Sequence, residues 1–175
     1  MKNIGVLLII ILVALGTVQA QSKAEKRQAK KEAKAQAFVA LKTFFAQGDF
    51  KFVAEWATTQ KGRRINLQSN PNSFIKTGDQ ATAQLPYFGV AQVAPMGGDV
   101  GINIEDATLS NEEIEYNEKK FRLLYSFDTK SSNGELLSCK MTIQANKTAI
   151  LMVMSSQRNN ITYEGTITEI ESSKE

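Results

Sequence analysis

No histidine occurs in these 175 residues. Its absence removes the commonest general base, the commonest transition-metal ligand and the side chain that titrates near neutrality. A Ser-His-Asp triad is excluded. The chain has one cysteine, Cys139, so no disulfide can form within it and a Cys/His zinc site cannot be assembled. Only carboxylate, lysine or tyrosine chemistry stays open. Proline is scarce as well, with three residues. With ordinary hydrophobic content, the chain is expected to fold rather than remain extended.

What is present begins at Lys2. An apolar run from Ile4 to Val18 comes next, and then Val18-Gln19-Ala20. A basic start, a short apolar core and a small-residue cleavage site make up a secretory signal peptide. The core of roughly 15 residues falls short of the ~20 that a spanning helix needs. The expectation is that residues 1–20 are removed near Ala20 and that the protein is exported, to the periplasm or as a secreted chain. No cysteine stands at the cleavage point, which disfavours a lipid anchor.

Charge is unevenly placed. Lys23, Lys26, Arg27, Lys30, Lys31 and Lys34 face only Glu25 and Glu32. From Ala35 onward, 14 Lys and Arg stand against 16 Asp and Glu. The basic character therefore belongs to an arm and not to the domain, and it does not mark a nucleic-acid binder. The arm is polar all round. It reads as a spacer, as a solubilising segment, or as a contact for an anionic envelope surface. Positive charge directly after an apolar segment opposes translocation, but the short core and the cleavage site favour export.

Residues 21 to about 47 read as helix, rich in Ala, Lys, Glu and Gln. Phe38, Leu41, Phe44 and Phe45 give its second half one apolar face, and Gly48-Asp49 ends it. Beyond Gly48 the period becomes two. Phe50, Phe52, Ala54 and Trp56 are expected on one strand face. Phe121 to Phe127, Leu137 to Ile143 and Ile161 to Ile167 alternate in the same way. Residues 149–154 are continuously apolar, as in a strand covered on both sides. Turns are expected at Thr77-Gly78-Asp79, Ser132-Asn133-Gly134, Asn146-Lys147 and Arg158-Asn159-Asn160. The predicted fold is mainly β: an antiparallel barrel or sandwich of about eight strands with an N-terminal α-helix. The predicted organisation is a signal peptide at 1–20, a basic helical arm at 21–37 and a β-rich domain at 38–172.

Residues 85–101 break the alternation. Leu85-Pro86-Tyr87-Phe88-Gly89, Ala94-Pro95-Met96-Gly97-Gly98 and Gly101-Ile102 together resemble an uncharacterised family of exported proteins from Bacteroidetes-type bacteria, catalogued as a domain of unknown function. Lys61-Gly62-Arg63-Arg64-Ile65-Asn66-Leu67 and Tyr163-Glu164-Gly165-Thr166-Ile167 carry the resemblance further. It extends from Phe38 to Ile170. The family tends to have an aromatic where this chain has Met96. The resemblance implies an envelope or secreted location and brings no activity, substrate or catalytic residue.

Tyr87, Phe88, Trp56, Met96 and Arg63 form the candidate ligand site. Tyr87 and Phe88 offer a stacking floor for a small apolar or sugar-like ligand. Arg63 offers a bidentate contact to an anion. The competing reading makes Leu85–Phe88 a plug for one barrel end, Trp56 a core residue, and the Lys61, Arg63 and Arg64 cluster a solvated strand edge. Glu112, Glu113, Glu115 and Glu118 read as a solvated hairpin, and Cys139 as a buried inert thiol. No cofactor, metal or nucleic acid is expected. The expected role is a noncatalytic envelope module for a lipid, glycan or peptide, or else a structural interaction protein without a small-molecule site.

Overall fold

The computed structural model describes residues 3–68, 71–90 and 101–170, with side chains from residue 23 onward. One long helix, α1 (Asn3–Phe45), precedes ten antiparallel strands. It starts well before residue 21, and it ends where Gly48 takes φ 87° and its N–H donates to the Phe45 carbonyl at 3.1 Å. Positive φ suits glycine at a helix C-terminus. The strands are β1 (Phe50–Thr59), β2 (Arg64–Asn66), β3 (Ser73–Thr77), β4 (Gln80–Leu85) and β5 (Ile102–Thr108). Next come β6 (Ser110–Asn117), β7 (Arg122–Lys130), β8 (Leu136–Gln144), β9 (Thr148–Ser155) and β10 (Ile161–Thr168).

Hydrogen bonding runs β5-β4-β3-β1-β10-β9-β8-β7-β6, with β2 appended to β1. The sheet has ten strands rather than about eight, and it curls into a nearly closed barrel rather than splitting into a sandwich. Its two edges, β5 and β6, are consecutive in the chain and separated only by buried Leu109. Asp106 (φ 42°) and Asn111 (φ 52°) turn the chain at this corner. Both residue types tolerate left-handed backbone. Register shifts lie beside each of them, between Ala81 and Ala83 and between Ser110 and Glu113. The corner transfers the chain from β4 to β7, so the barrel closes through covalent continuity.

Antiparallel order leaves two ends. At the helix end, the Phe38, Leu41, Phe44 and Phe45 face of α1 covers the opening. Phe45 stacks on Phe50 at 5.1 Å and meets Tyr125 edge-on at 5.3 Å. Burying each such ring contributes about 1.5–3 kcal/mol. Inside, Phe52, Phe74, Phe127, Leu123, Leu151 and Tyr163 are fully buried. Tyr125, buried within the barrel, donates through Oη to Glu112 of the edge strand at 2.5 Å, and Lys76 lies 3.4 Å from the same carboxylate. The four expected turns fall between β3 and β4, β7 and β8, β8 and β9, and β9 and β10.

The acidic segment lies on a solvated hairpin, as expected: Glu112, Glu113 and Glu115 belong to the exposed edge strand β6, which pairs antiparallel with β7, and Glu118 lies in the connection between them. Two expectations are corrected. Strand β9 is covered on one face only, with Ile150 and Met152 pointing outward at 46% and 40% exposure. Trp56 does not share the inner face of Phe50, Phe52 and Ala54. A bulge in β1 between Ala54 and Trp56 shifts the alternation, placing Ala57 inside and Trp56 outside. The inserted residue of a bulge reverses the facing of every later residue on its strand.

Gly165 on β10 pairs with Ala54 at that bulge, and a Cβ there would lie 1.9 Å from the Val53 carbonyl oxygen. Gly165→Ala is therefore expected to lower stability by about 2–3 kcal/mol, read from the urea midpoint. Burial pushes the Cys139 thiol from its ordinary 9.0 up to about 12. The folded state then holds this proton more tightly than the unfolded chain. Its contribution to stability is complete below pH 9 and declines as pH rises toward 12. Tyr125 and Tyr163 are displaced upward too, chiefly by burial. Unfolding measured from pH 8 to 11 should show falling stability, and iodoacetamide should reach Cys139 at pH 8 only in denaturant.

Candidate functional site

At the loop end the chain leaves β4 through Leu85-Pro86-Tyr87-Phe88-Gly89. Leu85 is buried, and the Pro86 carbonyl accepts a 2.9 Å hydrogen bond from Tyr163 Oη deep in the barrel. Tyr87 turns inward and is 7% exposed. Its hydroxyl lies 2.9 Å from the Asn159 carbonyl and 3.0 Å from that of Val90, so its single proton serves either. Burial raises this phenol above its ordinary value, against the lowering effect of the Arg158 cation. A Cβ at Gly89 would stand 2.3 Å from the same hydroxyl, so glycine is what lets the chain fold back over the ring. Phe88 is left facing outward at 36% exposure.

Beneath Tyr87 lies a buried ion pair. Glu135, just before β8, is 0% exposed, and Arg158, in the β9–β10 turn, is 5% exposed. Arg158 Nε donates to Glu135 Oε1 at 2.9 Å and Nη2 donates to Oε2 at 2.6 Å. Nη1 donates to the Gly101 carbonyl at 3.1 Å. Ser155 Oγ donates to Glu135 and accepts from the Arg158 backbone N–H. The guanidinium sits 4.9 Å from the Tyr87 ring centroid, a cation–π distance. Forked pairing of this kind is the strong form of a salt bridge. It fastens the β7–β8, β9–β10 and β4–β5 connections to one another.

Phe88 is the wall between two clefts. One, of ≈ 350 Å³, has Pro71, Gln84, Pro86, Tyr87 and Asn103 on its other sides. The second, of ≈ 200 Å³, runs past Val90 to Thr59, Lys61 and Arg63. Phe88 thus adjoins Tyr87 in the first cleft and Arg63 in the second. Tyr87 serves as an anchor with one edge on the first cleft, and its face is already taken by Arg158. Trp56 belongs to neither cleft. It lies on the outer sheet face with the Arg64 guanidinium 4.4 Å above its ring, and Arg64 pairs with Glu164 at 2.7 Å. Met96 lies outside the described residues. Sequence reasoning misses Glu135, Arg158 and Asn159: Arg158-Asn159-Asn160 reads only as a turn, and Glu135 only as the residue after a hairpin glycine. Among the described residues, no three Asp, Glu or Cys side chains gather as a metal site.

A family model described as a domain of unknown function (DUF4251) matches residues 32–167. A crystal structure of a DUF4251 family protein from Bacteroides eggerthii aligns with a TM-score of 0.60 at 18% identity, covering 79% of this chain and 91% of that one. At that identity the likeness is one of fold. None of the curated proteins compared matches.

Removing one member of the buried pair leaves an uncompensated charge, at a cost of about 3–5 kcal/mol. Arg158→Met is expected to lose that much in urea unfolding. Glu135→Leu combined with Arg158→Met should be less destabilising than Arg158→Met alone.

Proposed function

This chain belongs to the DUF4251 family of domains of unknown function, and from that premise we propose that it is a noncatalytic binding module whose ligand lies across Phe88. The observation that carries this reading is an aromatic ring kept partly open to solvent, between two clefts, on a loop fixed from below. A loop already ordered before binding loses little entropy on contact. An exposed ring above a rigid anchor is the usual centre of a recognition surface.

The chemistry of the clefts favours a glycan or a short peptide over a lipid. The barrel interior is occupied by packed aromatic and aliphatic side chains, so an acyl chain has little to gain there. Gln84 and Asn103 offer amide groups in one cleft, and Lys61 and Arg63 offer cations in the other. A ligand with a ring or apolar group against Phe88 and an acidic group toward Arg63 suits both. We also infer that the module works outside the cytoplasm, supported by the Lys2, Ile4–Val18 and Val18-Gln19-Ala20 pattern.

A second reading, a structural interaction protein of the envelope, is favoured by the outward Ile150 and Met152 on β9. The two separate in one experiment. The ¹⁵N-labelled protein is titrated with a peptidoglycan disaccharide-peptide and with neutral hexasaccharides. The binding-module reading expects amide shifts confined to residues around Phe88. Phe88→Ala should weaken binding by about tenfold or more while changing stability by less than about 1 kcal/mol. Absence of shifts with every probe, or binding indifferent to Phe88→Ala, would reject it.

A further inference from the structure

At the opposite end of the barrel, α1 continues beyond the rim it covers. Successive residues of an α-helix are about 100° apart. On that spacing Lys23, Lys26, Arg27, Lys30, Lys31 and Lys34 fall within an arc of about 140°. Phe38, Leu41, Phe44 and Phe45, which are buried against the barrel, lie in the same direction. Glu25 and Glu32 lie on the back, where Glu32 accepts from Gln28 at 2.8 Å. The arm is therefore polar all round but not uniform. Its cations face the inner angle between the overhanging helix and the domain.

That angle contains a groove of ≈ 430 Å³. Lys30 and Lys34 enter it from the helix and Lys120 from the β6–β7 turn, with Phe121 between them. Gln144 at the end of β8, Asn146 in the β8–β9 connection and Thr148 at the start of β9 complete it, and among the described residues no carboxylate lines it. The nearest turn acid, Glu118, is held by Lys42 at 2.8 Å. None of the groove lysines takes part in an ion pair among the described residues. Like charges are thus gathered with no described carboxylate to offset them, which raises the local concentration of an anion.

We propose that the groove and the basic face leading into it form a binding site for a linear acidic polysaccharide. From Lys23 to Lys34 the face runs about 17 Å at 1.5 Å per residue, room for several sugar units. Its concave placement suits a narrow flexible chain. A bilayer would meet the convex back of the helix, where the glutamates are. Amide and hydroxyl side chains beside one aromatic ring suit sugar hydroxyls. Lysine supplies point charges for carboxylates.

The test uses the full chain and oligogalacturonates of four to eight units, with binding followed by calorimetry at two salt concentrations. Lys30→Glu, Lys34→Glu and Lys120→Glu together should weaken binding by at least about tenfold and reduce its salt dependence. Lys119→Glu, Lys130→Glu and Lys140→Glu, which change net charge equally, should leave affinity within about twofold. Phe88→Ala should have no effect, so this site and the loop-end site fail or stand separately. If the charge-reversed helix unfolds by circular dichroism, the matching Lys→Gln set should show the same loss. Equal weakening by both triple variants would overturn the proposal, as would failure to bind the oligomers. Tighter binding to phosphatidylglycerol vesicles or to a single-stranded DNA 12-mer would overturn it as well.

Discussion

The bidentate contact between Glu135 and Arg158 is what the loop end of this barrel depends on. Taking both charges out of water costs several kcal/mol each, and the loss is recovered only where geometry and additional hydrogen bonds are good. Here the carboxylate also receives Ser155, and the guanidinium reaches Gly101 and lies against Tyr87. Ser155 ends β9, whereas Gly101 and Tyr87 both belong to the β4–β5 connection, so the pair ties that connection to the two turns that carry Glu135 and Arg158. The pair is therefore less a stabiliser in itself than a condition on the loops: they must meet in one arrangement or leave a buried charge unmet. Hydrophobic contact is tolerant of sliding, whereas forked hydrogen bonds are not. That difference explains how an exposed Phe88 is kept in place by residues it does not touch.

The two ends of the barrel are closed by different physics. The helix end is sealed by four apolar side chains from one helical face, a broad contact whose strength lies in area. The loop end is sealed by a polar cluster whose strength lies in direction. Between them the interior is packed with side chains. The clefts described above accordingly lie toward the rims.

Much of this architecture is legible in the chain before folding. The period-two runs of β7, β8 and β10, the four turns, and the apolar face of α1 are local signals, decided within a few residues of each other. The exceptions are set at a distance. The outward turn of Trp56 results from a bulge that Gly165, more than a hundred positions later, makes room for; nothing around Trp56 announces it. Strand β9 reads as doubly covered because composition records what is apolar, not what lies above it, and among the described residues no element covers Ile150 and Met152. Of the candidate site, Tyr87 and Phe88 stand out because an apolar, glycine-flanked loop is unusual. Their division of labour is not visible in sequence, since it depends on Arg158 arriving from another turn. Arg63 lines the second cleft beside Phe88, while its neighbour Arg64 serves Trp56 and Glu164.

The pairing of β1 with β10 has a bearing on how the chain reaches this state. Their ladder extends from Lys51 with Thr168 to Thr59 with Ile161, so the first strand of the barrel borders the last. Half of the hydrogen bonds of β1 await a partner over a hundred residues away, and the loop to be closed is nearly the whole domain. Closing it carries a large entropic cost before any contact rewards it. A nascent chain can form α1 and the local hairpins, but it cannot complete the barrel until β10 has emerged. Its folding is thereby held back until the last strand of the domain has been made.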